Sequence, residues 1–433
     1  MKNLIRFGLA SAMLLALVAF EHGSAVKAAG GPQDTDNGPY RVLAPIESGN
    51  LLLFPVVRAG GKSPGTTPFL TLDEGIKSGE VEVTEAGKVQ GLVRHRGSVG
   101  VPPQYHDDRF RGAPDYPDDH VRGDEVNTLV LVNHSDKPLL LLAGEIVTGG
   151  KQDRVIAKDR IVPANADPID LGVFCIEPGR WTASSSSFGA SAKAPSHSFM
   201  VQPSVRQKAM VAKDQQQVWD SVRGSISQME VASAPPASES ETATSTPLVG
   251  RNWAQIAQLT AGQNTSAYPR TMGTTSYAQV MQDSAVSEKV DEAAAPVMKS
   301  RDQVLAQLRQ QHAVGVVVAV RGEIVWADLF ASTDLLARYW TKLVRSYAAE
   351  SLTEGDTHSA PTVADAQHFL NAPSGGAETS EGDVGVYRYS ELNSGATETF
   401  VLESLLPGTG YDVHISKLKL KDTYRHTKTD IYR

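Results

Sequence analysis

Residues 141–181 read LLAGEIVTGGKQDRVIAKDRIVPANADPIDLGVFCIEPGRW. Apolar or alternating runs are separated by turn residues, which is the pattern of short β-strands. With the preceding runs EVNTLVLVNHSD and KPLLLL, the stretch predicts an antiparallel meander. In its middle, Arg154, Ile156 and Lys158 share one face of an extended chain, and Val155, Ala157 and Asp159 the other. The same ribbon carries Glu145, Lys151, Gln152, Asp153, Arg154, Glu177 and Arg180. These groups either face solvent, converge on a ligand, or pair with one another inside the fold.

Working outward, YRVLAPIESGNLLLFPVVRAG (residues 40–60) holds two apolar runs around a Ser-Gly-Asn turn, a hairpin signal. A short helix is expected from about Thr71, then a strand over residues 81–84. Residues 100–124 combine proline, glycine and charge and predict an irregular loop. Residues 182–212, Ser/Ala-rich and then basic, also read as loop. Beyond them Val218, Trp219, Val222, Ile226 and Met229 recur at helical spacing, which predicts a helix with Trp219 buried. A low-complexity insert occupies residues 231–249, and a mixed loop-and-helix region runs to about residue 299.

The C-terminal third has the strongest local signals. A helix follows Ser300, its expected N-cap, with Val304, Leu305 and Leu308 on one face. Two β-rich runs flank Arg321-Gly322, a hairpin signal. Leu335, Leu336, Tyr339, Trp340, Leu343, Val344 and Tyr347 make a continuous stripe on a helix that Ser332 or Thr333 can cap. One more helix near residues 362–372 and three strands (384–391, 396–404, 411–420) complete the chain. EIVWADLF and YDVHISKL align loosely as an internal repeat. The fold class expected is α+β: an antiparallel β-rich sheet system packed with several amphipathic helices.

Composition narrows the function. The chain has 433 residues, 41% hydrophobic and 21% charged, a globular balance. A net charge of −8 argues against general nucleic-acid binding. Lys2 and Arg6 precede the apolar segment FGLASAMLLALVAF and small residues at Ala25, Ala28 and Ala29. That is the pattern of a signal peptide over residues 1–28, which places the mature chain in the periplasm or outside the cell and leaves it without a stable membrane span. The alternative is an uncleaved anchor. The single cysteine, Cys175, allows no internal disulfide.

LLLLAGEIVTGGKQDRVIAKDRIVPANA, CIEPGRW, DQQQVWDSV and VGVVVAVRGEIVWADLFASTDLLARYWTKLVRSYAAES together resemble one bacterial family, the ARG and rhodanese-phosphatase-superfamily-associated protein domain. The resemblance extends over roughly residues 38–420. It implies an association with ADP-ribosylglycohydrolases and phosphatases, and no particular reaction. It also implies asparagine at the position where this chain has Asp153.

The first candidate site is Glu145, Lys151, Gln152, Arg154, Glu177, Arg180 and Trp181. Gly149-Gly150 can turn tightly and admit a ligand to the backbone. Lys151, Arg154 and Arg180 suit a phosphate or carboxylate. Trp181 can stack on a base or sugar, and Glu177 or Glu145 can act as a base. The competing reading is a structural network in which the arginines pair with Glu145 and Glu177. Cys175 reads as a small buried residue, since no histidine lies near it. His106, Asp107, Asp108, Asp115, Asp118, Asp119 and His120 carry metal-ligand chemistry, but their spacing fits no EF-hand and the chain has no HExxH, so no metal or cofactor is assigned. His312, His368 and His414 read as ordinary polar residues. Three functions follow in order: an exported binding or scaffold protein for a small anionic or sugar-nucleotide-like ligand or a protein partner; a hydrolase of phosphorylated, glycosylated or ADP-ribosylated substrates; a structural envelope protein.

Overall fold

The computed structural model describes residues 38–60, 69–85, 128–178, 188–189, 199–234, 273–353, 357–407, 409 and 411–420. The first strands are β1 (Tyr40–Val42), β2 (Ile46–Ser48) and β3 (Leu51–Arg58). β2 and β3 form the expected hairpin, with Ser48 opposite Leu51. After β4 (Leu70–Thr71), α1 (Leu72–Ser78) starts at Thr71, whose side chain and that of Glu74 satisfy each other's backbone N–H in a capping box. β5 (Val81–Glu85) follows.

The central ribbon comprises β6 (Thr128–Asn133), β7 (Leu139–Leu141), β8 (Ile146–Gly149), β9 (Arg154–Ile156), β10 (Arg160–Val162), β11 (Ala166–Cys175) and β12 (Phe188–Gly189). It is not a meander. β11, β6, β5, β12, β8 and β9 close into a barrel, while β10 and β7 join β4 in a separate three-stranded sheet. The β4–β7 pair in that sheet is parallel. Burial explains the split: every residue of β7, β9 and β10 is buried. Strands covered on both faces belong between layers rather than in a ribbon with one wet side. The expected alternation through Asp159 therefore stops early. β9 ends at Ile156, and Lys158 and Asp159 lie in the connection to β10.

Residues 203–212 are helical, where a loop was expected. α2 (Pro203–Gln207) has proline in its first turn, where the missing N–H costs nothing. It continues as a π-helical turn, Lys208–Ala212, and Val205, Ala209 and Met210 are buried. α3 (Gln215–Ser233) buries Val218, Val222, Ile226 and Met229, but Trp219 is only half-buried at the edge of that face. Four helices follow: α4 (Tyr277–Gln282), α5 (Ser284–Ala293), α6 (Ala295–Lys299) and α7 (Arg301–Gln310). Ser300 occupies the N-cap position of α7 without a side-chain hydrogen bond to the helix.

A nine-stranded antiparallel sheet is completed by β13 (Ala313–Val320), β14 (Glu323–Phe330), β15 (Gly376–Asp383), β16 (Tyr387–Asn393), β17 (Thr397–Ser404) and β18 (Tyr411–Lys419). Its order is β1-β3-β13-β14-β18-β17-β16-β15, with β2 on β3. At the β13–β14 turn Arg321 and Gly322 have φ of 51° and 81°, the geometry a two-residue primed turn requires. β15, GAETSEGD, was not foreseen. It is an edge strand without large apolar residues.

α8 (Thr333–Ser351) is capped by the Ser332 side chain and buries its whole apolar stripe. It packs on β13, and with α2–α7 it covers one face of the sheet. α9 (Val363–Asn371) covers part of the other face through Ala366 and Phe369. A separate apolar cluster fills the barrel. The α+β class is as expected. No described helix is long and apolar enough to cross a membrane.

Candidate functional site

The β8–β9 turn closes one end of the barrel. Gly149 and Gly150 both have positive φ. A β-carbon on Gly150 would lie 2.2 Å from Cζ of Phe188 and 2.6 Å from Oε1 of Glu85. What approaches the backbone here is a phenyl ring and a carboxylate from the chain itself. The Lys151 N–H donates to Glu85 Oε1 at 3.0 Å. The Gly149 N–H donates to Asp153 Oδ1 at 3.0 Å, and Ser276 Oγ donates to Asp153 Oδ2 at 2.7 Å. Asp153 thereby ties the turn to the start of α4.

Across from the turn, Glu177 accepts the Asp153 N–H on Oε2 at 3.1 Å. Gln152 Nε2 donates to the Glu177 carbonyl at 3.2 Å, and Arg154 Nη1 reaches Gln152 Oε1 at 3.4 Å. Glu85, Gln152, Asp153, Arg154 and Glu177 are buried, whereas Lys151 is only half-buried. Four of the seven sequence candidates, Lys151, Gln152, Arg154 and Glu177, are therefore gathered at this end of the barrel.

Glu145 belongs to a different cluster. Its Oε1 lies 2.5 Å from Lys342 Nζ on α8, and its Oε2 accepts the Leu142 N–H at 2.7 Å. Lys342 is also 2.6 Å from Asp73 on α1. Burial pushes the Glu145 carboxyl up, and the Lys342 ammonium only partly offsets that. Burial would depress Lys342, but Asp73 and Glu145 outweigh it and hold the ammonium above its usual range. Arg180, Trp181, the acidic loop at 106–120 and residues 1–28 lie outside the described residues, as does most of the 231–249 insert.

Cys175 is fully buried at the end of β11. Burial pushes its thiol up to about 12, against the pull of Arg154. Such a thiol is protonated at neutral pH and not a nucleophile. Its backbone is held by one side chain: the Cys175 N–H donates to Gln215 Oε1 and its carbonyl accepts from Gln215 Nε2, both at 2.9 Å.

A second polar cluster escaped the sequence reading. His414 on β18 places Nδ1 2.6 Å from Asp159 Oδ2 and Nε2 3.1 Å from Asp328 Oδ1 on β14. Arg206 on α2 grips both Asp328 oxygens through Nη1, at 3.0 and 2.9 Å, and donates from Nη2 to Ser416 Oγ. Its guanidinium lies over the Trp326 ring, 4.6 Å from the centroid. Tyr347 on α8 donates to Asp328 Oδ2. Burial would raise the Asp328 carboxyl, but Arg206 and His414 hold it far below the usual carboxylate range. Burial would lower His414, but Asp159 and Asp328 raise it to about 9. The available signal was the loose similarity of EIVWADLF and YDVHISKL. These segments are sheet neighbours, with Asp328 opposite Ser416.

Chemically, the barrel end offers one half-exposed cation above a buried polar shell, and the His414 cluster offers buried charge compensation. A pocket of about 360 Å³ beside the β2–β3 turn is lined by Ser48, Asn50, Lys289, Glu292 and Leu352 among others, and includes none of these groups. The family model described as the ARG and Rhodanese-Phosphatase-superfamily-associated Protein domain matches residues 39–418. No curated protein and no solved structure matches the chain.

Proposed function

This chain belongs to the ARG and Rhodanese-Phosphatase-superfamily-associated Protein domain family, and from that premise we propose that it is an exported binding or scaffold protein. Its ligand is small and anionic or sugar-nucleotide-like, with a protein partner as the variant of the same reading. The observation that carries the proposal is the β8–β9 turn: Lys151 stands half-exposed on a backbone fixed by Glu85, Asp153 and Ser276. With the backbone held, only the side-chain freedom of Lys151 remains to be lost on meeting an anion. Binding is favoured over hydrolysis because both Glu145 oxygens are engaged and Glu177 accepts a backbone N–H. A carboxylate so committed is a poor general base. Export rests on the charged, apolar and small-residue pattern of residues 1–28.

Thermal unfolding of the mature chain against ADP-ribose, nucleotides, phosphosugars and glycans tests this. The expected result is a saturable rise in midpoint with an anionic compound. A ligand present at a hundred times its Kd contributes about 2.7 kcal/mol. Lys151→Ala, which keeps the N–H that Glu85 accepts, should abolish the rise while the variant still unfolds cooperatively. No rise with any compound would sink the small-ligand reading and leave the structural one.

A further inference from the structure

We propose that His414 is an alkaline-release latch: a buried imidazolium that ties the β9–β10 connection to the nine-stranded sheet and loosens that seam when it loses its proton. The geometry favours the charged ring. Nδ1 is hydrogen-bonded to Asp159 Oδ2 and Nε2 lies 3.1 Å from Asp328 Oδ1, so each ring nitrogen has a carboxylate oxygen beside it. A neutral imidazole has one N–H and must turn a lone pair towards the other carboxylate. The Nδ1 arm is the directional one. The Nε2 approach is misaligned for a hydrogen bond and acts as an ion contact.

The surroundings agree with this. Asp159 Oδ1 is already taken by the Ala143 N–H at 2.7 Å, and Asp328 is gripped by Arg206, Ser416 and Tyr347. His414, Asp159, Asp328 and Arg206 are all buried, and their charges cancel only when the ring is protonated. Among the described residues, Tyr347 on α8 and Tyr389 on β16 are the other titratable groups facing the cluster. Burial holds both phenols neutral well above their usual range. Phe330 covers the imidazole, with ring centroids 4.7 Å apart.

The folded pKa of His414 is raised to about 9 from 6.5. Its stabilisation is therefore complete below about pH 6.5 and is lost as pH rises towards 9, by up to about tenfold in the folding constant per pH unit. Lys417 on β18 works in the opposite sense. Burial lowers it to about 8, so it favours the fold as pH rises above that value. Comparison with Asp159→Asn removes this contribution. An asparagine can accept from Ala143 and donate to a neutral Nδ1, so the variant no longer needs the charged ring.

The test is ¹⁵N NMR of the histidine rings in the full mature chain, with chemical unfolding from pH 6 to 9.5. Imidazolium shifts for His414 at pH 7.5 are expected. So is a fall in the folding constant with pH that is steeper in the wild type than in Asp159→Asn. A neutral His414 ring at pH 7.5, or identical pH profiles for the two proteins, overturns the latch. If Asp159→Asn does not fold, the ring shifts of the wild type decide alone.

Discussion

At position 150 a side chain meets two obstacles. Its φ of 53° disfavours any residue with a β-carbon, and that carbon would press on Phe188 and Glu85. Gly150→Ala should cost about 2–4 kcal/mol, from left-handed strain and overpacking together, read as a lowered denaturant midpoint. A loss below about 1 kcal/mol would mean that Phe188 has room to swing aside. The residues around this turn were visible in the sequence because they are contiguous: Gly149-Gly150 followed by Lys151, Gln152, Asp153 and Arg154 is a local signal. The use of the glycines was not visible, because Phe188 and Glu85 reach the turn only through barrel closure. Glu145 looked like a member of the same set because it is near in sequence. Its partner Lys342 is 197 residues away, and no local pattern announces such a pair.

Among the elements, α7 and α8 carry the same N-cap residue in different states. Ser332 accepts the Leu335 N–H at 3.3 Å, whereas the Ser300 side chain makes no capping bond. Ser332→Ala should therefore cost about 1 kcal/mol in equilibrium unfolding, and Ser300→Ala only a few tenths. Equal losses would show that the helix starts differ less than their geometry implies. Helices α1, α3, α7, α8 and α9 and the β13–β14 hairpin were legible because each is specified by its own periodicity, caps or turn residues. The barrel and the three-stranded sheet were not. Short runs such as LLL and RVI are buried on both faces, so they have no alternation from which to choose a partner. The helical turns at 203–212 were hidden for a related reason: their buried residues include Pro203 and Arg206, which carry no helical signal, in a basic, Ser/Ala-rich context.

For the molecule as a whole, Asp328 joins more elements than any residue in its cluster, accepting from α2, α8 and β18. Asp328→Asn leaves Arg206 buried without a full counter-charge, and should cost about 3–5 kcal/mol in unfolding experiments. A loss under 1 kcal/mol would show that the guanidinium finds another anion or water. The same group sets an acid limit. Its carboxyl is held far below the usual carboxylate range, so its contribution is present above about pH 4 and is lost as pH falls further. None of this cluster was legible as a unit. His414 and Asp159 are 255 residues apart, and only the pairing of β14 with β18 and the packing of the β9–β10 connection bring the carboxylates to the ring.

The grip of Gln215 on Cys175 has a consequence for how the barrel meets its neighbours. Among the described residues the pairing of β11 with β6 ends at Gly172, and three residues later a single glutamine supplies a donor and an acceptor to the Cys175 backbone. A helix residue thus serves as a one-residue strand, meeting with its side-chain amide the kind of main-chain groups that an unpaired edge offers to another chain. That amide joins the barrel to α3 through the main chain itself. Shortening α3 from its N-terminal end would remove both bonds at once, detaching helix from strand while leaving the barrel's own core residues in place.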